Sequence, residues 1–297
     1  MSGRVAMIMA GGTGGHVFPA LATARVLRRR GFDIVWLGTK RGIEARLVPA
    51  EGIPVEWLNV GGLRGKGLST LLAAPFRLAA AVMQALRAVR RHDPAVVLGA
   101  GGFASGPGGL AAWLLRRPLV VHEQNAVAGM TNRFLAKLAD RVLEGFPGSF
   151  GPRVTAERVG NPVRPEIVAV APPARRYAGR QGSMRLLVFG GSQGAARLNA
   201  VLPAALAELP AELRPEVIHQ TGERGHADTV RGYQSRGLQA DVRPFIDDMA
   251  SAYAWCDIAV CRSGALTIAE LGADGVPAIL VPFPAAVDDH QTRNAEY

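Results

Sequence analysis

Two glycine-rich loops are the segments of this chain best suited to chemistry. The first covers residues 11–16 (GGTGGH) and follows the apolar run 5–9, and the second covers 190–195 (GGSQGA) and follows the apolar run 186–189. A helical pattern comes after each loop, so each predicts a strand, a tight turn and a helix whose first N–H groups can bind an anion. Two such loops at equivalent positions of two half-chains predict two nucleotide-fold domains that face one cleft.

His16 directly follows the glycines of the first loop, at the expected start of a helix. The positive end of a helix favours the neutral form of an imidazole, and a neutral imidazole can act as a general base. A histidine at this position can equally well cap or pack the helix. The position alone leaves both interpretations open.

A third segment, 263–270 (SGALTIAE), follows the apolar run 258–260 and opens with small residues. The free N–H groups at the start of such a helix can hold a diphosphate. Glu270 lies in the first turns of this helix, where its carboxylate can accept hydrogen bonds from both hydroxyls of a ribose. A solvated helical glutamate is the alternative interpretation.

Two further segments follow predicted strands. Residues 99–109 are glycine-rich, which predicts either an anion-binding loop or a long turn that needs positive φ angles. Residues 122–125 (HEQN) place four polar side chains at a strand end, and doubly wound folds bind ligands at the carboxyl ends of their strands.

The sequence disfavours several common cofactors. Val17 stands where a dinucleotide fingerprint needs its third glycine, and the second strand ends in Leu37-Gly38-Thr39 without a carboxylate. A P-loop motif does not occur, and the two cysteines, Cys256 and Cys261, cannot supply a structural zinc site. We therefore expect neither a cofactor nor a metal ion.

Alternating strand and helix patterns predict an α/β fold with parallel sheets throughout. The expected domains are 1–160 and 184–297, joined by a proline-rich linker at 161–183. The chain ends at Tyr297 inside a helical pattern, so we expect a form truncated at its C-terminus. In the first half the pattern predicts strands at 5–9, 33–37, 55–58, 96–99, 119–122 and 141–143, and helices at 19–30, 43–50, 71–91, 107–115 and 130–139. In the second half it predicts strands at 186–189, 216–220, 241–244, 258–260 and 278–281, and helices at 196–209, 224–236, 249–255 and 266–274.

The net charge of +10 and one amphipathic stretch bear on possible partners. With only 6% aromatic residues and no stacked-aromatic motif, nucleic acid is disfavoured relative to an anionic membrane or a phosphorylated substrate. The predicted helix 71–91 has an apolar stripe surrounded by arginines, and such a helix either lies on anionic lipid or packs on its own sheet. Neither a signal peptide nor a bilayer-spanning run is apparent, so the expected location is cytoplasmic and peripheral to a membrane.

Taken together, these segments resemble the MurG family, the N-acetylglucosaminyltransferases of bacterial peptidoglycan synthesis. The resemblance covers essentially the whole chain. Eight segments carry it in order: 11–19 (GGTGGHVFP), 62–67 (GLRGKG), 106–113 (GPGGLAAW), 122–132 (HEQNAVAGMTN), 160–164 (GNPVR), 190–195 (GGSQGA), 245–249 (FIDDM) and 262–270 (RSGALTIAE).

The resemblance implies a GT-B fold with two Rossmann-like domains. It implies inverting transfer of GlcNAc from UDP-GlcNAc to the C4 hydroxyl of MurNAc in lipid I, which gives lipid II. It further implies that the C-terminal domain holds the donor, that the N-terminal domain holds the acceptor, and that the enzyme lies on the cytoplasmic face of the inner membrane. Association with a complex for cell-wall synthesis and division stays open.

The resemblance also assigns site residues. His16 matches the family's proposed base, and Leu72, Phe76 and Trp113 are the expected membrane contacts. The expected UDP-GlcNAc contacts are Thr13, Gly14, Gly15, Asn125, Arg164, Ser192, Ile246, Ala265, Leu266, Thr267, Ile268, Ala269, Glu270 and Gln291. Ser192 and the Ala265 helix start are expected near the diphosphate, Glu270 at the ribose, and the backbone of Ile246 at the uracil.

Two classes of function compete with this interpretation. One is another GT-B enzyme, such as a glycolipid synthase or a UDP-GlcNAc 2-epimerase, against which the HEQN segment and the GGTGGH loop argue together. The other is a protein that binds UDP-GlcNAc or a membrane without turnover, which a truncated chain makes conceivable.

Overall fold

The computed structural model describes residues 3–60, 74–191, 194–284 and 289–297. The chain forms two compact units, Met1–Pro162 with Tyr297 and Val163–Glu296. Each unit has its own parallel β-sheet and two hydrophobic clusters of buried side chains. The predicted α/β class with parallel sheets is confirmed.

The sheet of the first unit has the strand order β3-β2-β1-β4-β5-β6-β7, and the strands pair in parallel. Its strands are β1 (Arg4–Met9), β2 (Phe32–Gly38), β3 (Val55–Trp57), β4 (Val96–Gly99), β5 (Leu119–Glu123), β6 (Arg141–Glu144) and β7 (Glu157–Arg158). Its helices are α1 (Gly14–Arg29), α2 (Glu44–Ala50), α3 (Ala74–His92), α4 (Ser105–Leu114) and α5 (Met130–Leu135).

The strand order of the first unit reverses between β1 and β4, which are neighbours in the sheet. Met9 pairs with Gly99, so these two strands end at the same level. The loop after β1 carries the first glycine segment and the loop after β4 carries residues 99–102. A reversal of this kind opens a crevice at the carboxyl ends of the strands, which is where doubly wound sheets bind ligands.

The sheet of the second unit has the order β10-β9-β8-β11-β12, also parallel. Its strands are β8 (Arg185–Phe189), β9 (Glu216–Gln220), β10 (Asp241–Arg243), β11 (Ile258–Cys261) and β12 (Ala278–Leu280). Its helices are α6 (Pro165–Val168), α7 (Pro173–Arg176), α8 (Ala196–Ala207), α9 (His226–Gln234), α10 (Met249–Trp255), α11 (Ala265–Asp274) and α12 (His290–Glu296), with short 3₁₀ turns at Ala211–Leu213 and Glu223–Gly225.

The reversal in the second unit lies between β8 and β11, and Phe189 pairs there with Cys261. The second glycine loop and the segment that begins at Arg262 therefore start at the same level. The two units thus repeat one plan, in which a glycine loop leaves the central strand beside the point of reversal.

The first helix begins earlier than the sequence predicts. The predicted start at Pro19 is wrong, because α1 already includes Gly14, Gly15 and His16. Pro19 is the sixth residue of this helix, where its ring removes one intrahelical hydrogen bond, to the carbonyl of the exposed Gly15. Gly31 follows the helix with φ +81°, a left-handed conformation that glycine adopts readily after a helix.

The segment 161–183, which the sequence predicts as a linker, contains α6 and α7. Proline occupies the first position of each of these two short helices, where its missing N–H costs no intrahelical bond. Ile167 is fully buried in a cluster with Leu187 and Tyr253, so α6 packs as part of the second unit. The two-residue strand β7 is too short to give a pattern in the sequence.

Within the described residues, every helix is too short or too polar to cross a lipid bilayer. The helix predicted at 71–91 is present as α3 from Ala74, and its first three predicted residues lie outside the described residues.

A buried polar network joins β9 of the second unit to α8 and α9. Nδ1 of His219 lies 3.0 Å from the Tyr233 hydroxyl, and Nε2 lies 3.2 Å from Oδ1 of Asn199. Because the amide oxygen can only accept, Nε2 carries the proton and Nδ1 accepts from the tyrosine. Burial lowers the pKa of His219 to about 4 and raises the pKa of Tyr233 far above its usual range.

We expect His219 to make the second unit less stable in acid. In the unfolded chain the imidazole takes up a proton near its ordinary pKa of 6.5, but in the folded unit it does so only near pH 4. Its contribution is therefore complete above pH 6.5 and declines as the pH falls toward 4. Between pH 7 and pH 5 the free energy of unfolding should fall by about 2 kcal/mol through this group.

Urea unfolding at a series of pH values measures this slope. The variant His219→Phe should flatten the dependence, whereas Tyr233→Phe keeps the buried histidine and should retain it. Equal slopes in the parent and in His219→Phe would contradict the assignment.

Candidate functional site

A buried carboxylate holds the first glycine loop. Glu44, on α2, has no exposed surface, and its Oε2 accepts a hydrogen bond of 2.9 Å from the N–H of Gly12. Its Oε1 accepts from the N–H and the hydroxyl of Thr39, at 3.1 and 2.7 Å. Glu44 therefore ties the loop after β1 to the end of β2.

His16 is the third residue of α1 and is half-buried. Its Nδ1 lies 3.2 Å from Oε1 of Gln124, which follows the end of β5. Gly101 (φ +96°) packs against the ring, and a Cβ at that position would lie 2.7 Å from Nδ1 of His16. Glycine is thus required at position 101, because φ is positive there and because a side chain would clash with the His16 ring.

A second buried carboxylate, Glu123, organises the HEQN segment. Its Oε1 accepts from the N–H and the side-chain amide of Asn125, at 3.0 and 3.1 Å. Its Oε2 accepts from the N–H of Gly129 and from Nδ2 of Asn132, at 3.1 and 2.9 Å. One carboxylate therefore binds the loop after β5 to α5.

The structure brings the donor contacts predicted for the first unit to one edge of its sheet. Thr13 precedes α1 and is exposed, and Gly14 and Gly15 are the first two residues of that helix. Asn125 lies just beyond the end of β5, two strands from β1. All four follow the carboxyl ends of strands, where the sequence analysis expects them.

In the second unit, two predicted site residues pair with each other. The Nε–H of Arg164 donates to Oε1 of Glu270 at 3.0 Å, and the Tyr253 hydroxyl donates to Oε2 at 3.1 Å. Glu270 is therefore buried and paired, which corrects the alternative of a solvated helical glutamate. Burial raises the pKa of Glu270, and the Arg164 guanidinium offsets part of that rise. Burial also raises the pKa of the Tyr253 hydroxyl, which lies beside this carboxylate.

The start of α11 is held by the segment that ends the chain. The hydroxyl of the buried Ser263 donates to the carbonyl of Gln291 at 2.7 Å, and Nδ2 of Asn294 donates to the carbonyl of Ser263 at 3.1 Å. Oε1 of Gln291 accepts from the N–H of Phe283 at 2.9 Å. The helix follows Gly264 directly, so the predicted residues Ala265, Leu266, Thr267, Ile268 and Ala269 form its first turns.

Gln220, at the end of β9, connects the second glycine loop to Ile246. Its Nε2 donates to the carbonyl of Gly191 at 2.9 Å, and its Oε1 accepts from the N–H of Ile246 at 3.2 Å. The Ile246 side chain is buried in the core, so only its backbone can face a ligand. Gly194 has φ +74°, and a Cβ there would lie 1.9 Å from the carbonyl oxygen of Thr221.

Some predicted residues lie outside the described residues, namely Ser192, Leu72 and the segment 62–67. The two other expected membrane contacts are exposed, with 79% of Phe76 and 48% of Trp113 accessible to solvent. Phe76 lies on α3 and Trp113 on α4. Further apolar side chains are exposed on these two helices and on α5, namely Leu78, Met83, Leu114, Met130 and Phe134. The structure thus contradicts full packing of the α3 stripe on its own sheet, although Ala81, Ala85 and Val89 of α3 are buried.

The sequence analysis missed Glu44 and Gln220, which hold the two glycine loops, and Tyr253, which donates to Glu270. Each lies within an ordinary helix or strand pattern, so its spacing carries no signal. Among the described residues, no three His, Cys, Asp or Glu side chains are arranged to hold a metal ion.

Comparison with known families defines the class of protein to which these two units belong. Residues 6–144 match the glycosyltransferase family 28 N-terminal domain, and residues 185–297 match the family 28 C-terminal domain. The chain belongs to glycosyltransferase family 28 and is an enzyme of that class. The glycosyltransferase of kitacinnamycin, at 17% identity and a TM-score of 0.69 over the whole of this chain and 84% of its own, shares the GT-B fold.

Individual relatives narrow the assignment. A UDP-N-acetylglucosamine--N-acetylmuramyl-(pentapeptide) pyrophosphoryl-undecaprenol N-acetylglucosamine transferase from Nitrosococcus oceani is 60% identical over 98% of this chain and 81% of its own length. The enzyme of the same name from Alkalilimnicola ehrlichii is 61% identical over 97% of this chain and 81% of its own. The crystal structure of Acinetobacter baumannii MurG is 41% identical, with a TM-score of 0.84, and covers 99% of this chain and 83% of that one. Within family 28, the chain falls in the MurG group.

Proposed function

We propose that this chain transfers GlcNAc from UDP-GlcNAc to the C4 hydroxyl of MurNAc in lipid I and forms lipid II. The observation that carries the proposal is the 60% identity, over nearly the full chain, to a transferase named for this reaction. The alternatives of a different glycolipid synthase or an inactive binding protein have no comparable support.

The reaction is proposed as a single inverting displacement. The acceptor hydroxyl attacks the anomeric carbon as the bond from that carbon to the UDP oxygen breaks, and the hydroxyl proton passes to His16. A positioned base contributes about 10²–10⁴-fold to such a step. The placement of His16 beside the glycine loop, with one ring nitrogen bonded to Gln124, supports this role.

The donor is proposed to contact the carboxyl edge of the second unit's sheet, with further contacts from Thr13, Gly14, Gly15 and Asn125. The first turn of α11 offers backbone N–H groups for the diphosphate, because a helix start attracts anions. Ser192 is proposed as a further contact of the diphosphate. Arg164 adds a positive charge, Glu270 accepts from the ribose, and the backbone of Ile246 contacts the uracil. Gln291 orders the start of α11 through its bonds to Ser263 and Phe283.

We also propose that the exposed apolar side chains of α3, α4 and α5 rest on the cytoplasmic face of the inner membrane, where lipid I is anchored. Exposed basic residues lie on or just after the same helices, including Arg77, Arg116, Arg133 and Lys137. Apolar side chains ringed by positive charge are typical of helices that bind anionic lipid surfaces. Leu72 is proposed as a further contact. Association with a cell-wall synthesis and division complex belongs to the same proposal.

A transferase assay with radiolabelled UDP-GlcNAc and a soluble lipid I analogue tests the reaction. The parent chain should label the acceptor, and His16→Ala should lower kcat by roughly 10²–10⁴-fold with little change in donor affinity. His92→Ala removes another histidine of the same unit and should keep the parental kcat. Absence of transfer by the parent contradicts the proposed function, and a His16→Ala variant with more than about a tenth of the parental kcat contradicts the base.

Glu270→Ala should weaken donor binding more than it slows the chemical step. Loss of a hydrogen bond to a charged group costs about 1.5–3 kcal/mol, which is roughly ten- to a hundredfold in affinity. Because this substitution also leaves Arg164 and Tyr253 without their partner, Tyr253→Phe serves as the matched control. The control removes the buried hydroxyl but keeps the carboxylate, so its donor Kd by calorimetry should stay near the parental value. An unchanged Kd in Glu270→Ala would remove the residue from the donor site.

The double variant Phe76→Ser and Trp113→Ser should release the protein from anionic vesicles and leave donor binding intact. Binding of the parent should fall as salt rises, because salt screens the basic contribution. The matched control is Val201→Ser and Leu213→Ser, which removes two exposed apolar side chains from the second unit. Equal co-sedimentation of the parent and the Phe76/Trp113 variant would show that these residues do not contact the membrane.

A further inference from the structure

His16 belongs to a line of hydrogen bonds that runs through Gln124 and His122 to the backbone of Gly160. Nδ1 of His16 lies 3.2 Å from Oε1 of Gln124, and Nε2 of Gln124 lies 3.2 Å from Nδ1 of His122. The line ends where Nε2 of His122 lies 3.0 Å from the carbonyl oxygen of Gly160. Gln124 has no exposed surface, and His122 is buried.

The donor and the acceptor of each hydrogen bond in this line follow from the last bond, between His122 and Gly160. The carbonyl oxygen of Gly160 can only accept, so Nε2 of His122 carries a proton. Burial lowers the pKa of His122, which keeps its ring neutral, so Nδ1 of that ring is an acceptor. The side-chain atom of Gln124 that faces it must then be the amide nitrogen.

A second contact fixes the same amide orientation. Nε2 of Gln124 also lies 3.4 Å from the carbonyl oxygen of His122, where an amide oxygen would face another acceptor. With the amide nitrogen on that side, Oε1 of Gln124 faces His16. An amide oxygen can only accept, so the hydrogen on a neutral His16 ring must be on Nδ1.

We propose that His122 and Gln124 are positioning residues that hold His16 as the Nδ1–H tautomer, with Nε2 as the nitrogen that accepts the proton of the acceptor hydroxyl. This inference rests on the proposed function for its chemical consequence. The tautomer itself can be measured without any substrate. An imidazole with the opposite tautomer would have its lone pair on the buried side and could not serve as the base.

Gln124→Leu removes the contacts of the amide with His16 and with His122 at nearly constant volume. His16 should then no longer be held as one tautomer, and kcat should fall roughly ten- to a hundredfold, within the contribution of a general base. The donor Kd should stay at the parental value. Thr23→Val is the matched control, because it removes one hydrogen bond of the same unit at nearly constant volume, from the Thr23 hydroxyl to the carbonyl of Pro19, and should keep the parental kcat.

Gln124→Glu tests whether Gln124 orients the His16 ring or only fills space beside it. The carboxylate still accepts from Nδ1 of His16, so the His16 tautomer should persist. The same carboxylate replaces the donor that faces His122, so His122 should take up a proton on Nδ1 and become doubly protonated. If Gln124 only fills space, the His16 tautomer should not depend on an acceptor at this position and should be the same in Gln124→Leu and Gln124→Glu.

The measurement is a long-range ¹H–¹⁵N spectrum of the histidine rings of the full chain at about pH 8, where free imidazole is neutral. Comparison with His16→Ala assigns the His16 signals. The parent should show a protonated Nδ1 and a bare Nε2 for His16, and the reverse pattern for His122.

The proposal is overturned by a proton on Nε2 of His16 in the parent, or by a parental kcat in Gln124→Leu. If Gln124→Leu does not fold, the parent spectrum and Gln124→Glu decide the question. A parent with the expected ring patterns but without transferase activity would contradict the proposed function and leave the tautomer assignment standing.

Discussion

Backbone pairing between the two strands at each reversal of strand order is the constraint on which the rest of the structure depends. In the first unit Met9 pairs with Gly99, and in the second Phe189 pairs with Cys261. These registers end neighbouring strands at one level and send their chains to opposite sides of the sheet. A slip by one residue would turn every side chain of the strand to the other face. The site segments therefore depend on the apolar packing of the strands that precede them.

Buried acceptors then fix the loops that leave these strands. Glu44 accepts from Gly12 and Thr39, and Glu123 accepts from Asn125, Gly129 and Asn132. Glycine-rich segments have little packing of their own, so they owe their order to such bonds. A buried carboxylate without partners would be very costly, which makes the loop and the acceptor mutually dependent.

The sequence was sufficient to predict the α/β fold with parallel sheets. The donor contacts that it names stay predictions, although several of them follow the carboxyl ends of strands in the structure. The bounds of β4, β9 and α10 agree with the prediction, because turn signals in the sequence lie on both sides of each element. The start of α1 was missed because two glycines have low helix propensity, and tertiary contacts to Glu44 and Gly101 override that propensity. The roles of Glu44, Gln220 and Tyr253 could not be predicted, because each depends on which distant backbone or side-chain group comes within hydrogen-bond distance. The pairing of Arg164 with Glu270 joins residues 106 positions apart and was not predicted either.

The line of hydrogen bonds from His16 ends on the main-chain carbonyl oxygen of Gly160, and this determines which substitutions at position 160 would alter the line. Every residue type supplies the same carbonyl oxygen, so a substitution at position 160 replaces no functional group of the line. Gly160 has φ +75°, so the constraint at that position concerns backbone geometry rather than side-chain chemistry. A side chain at position 160 would be strained by this positive φ, although it would leave the carbonyl oxygen in place. The two side chains between Gly160 and His16 are constrained differently, because few alternatives match their shape and polarity.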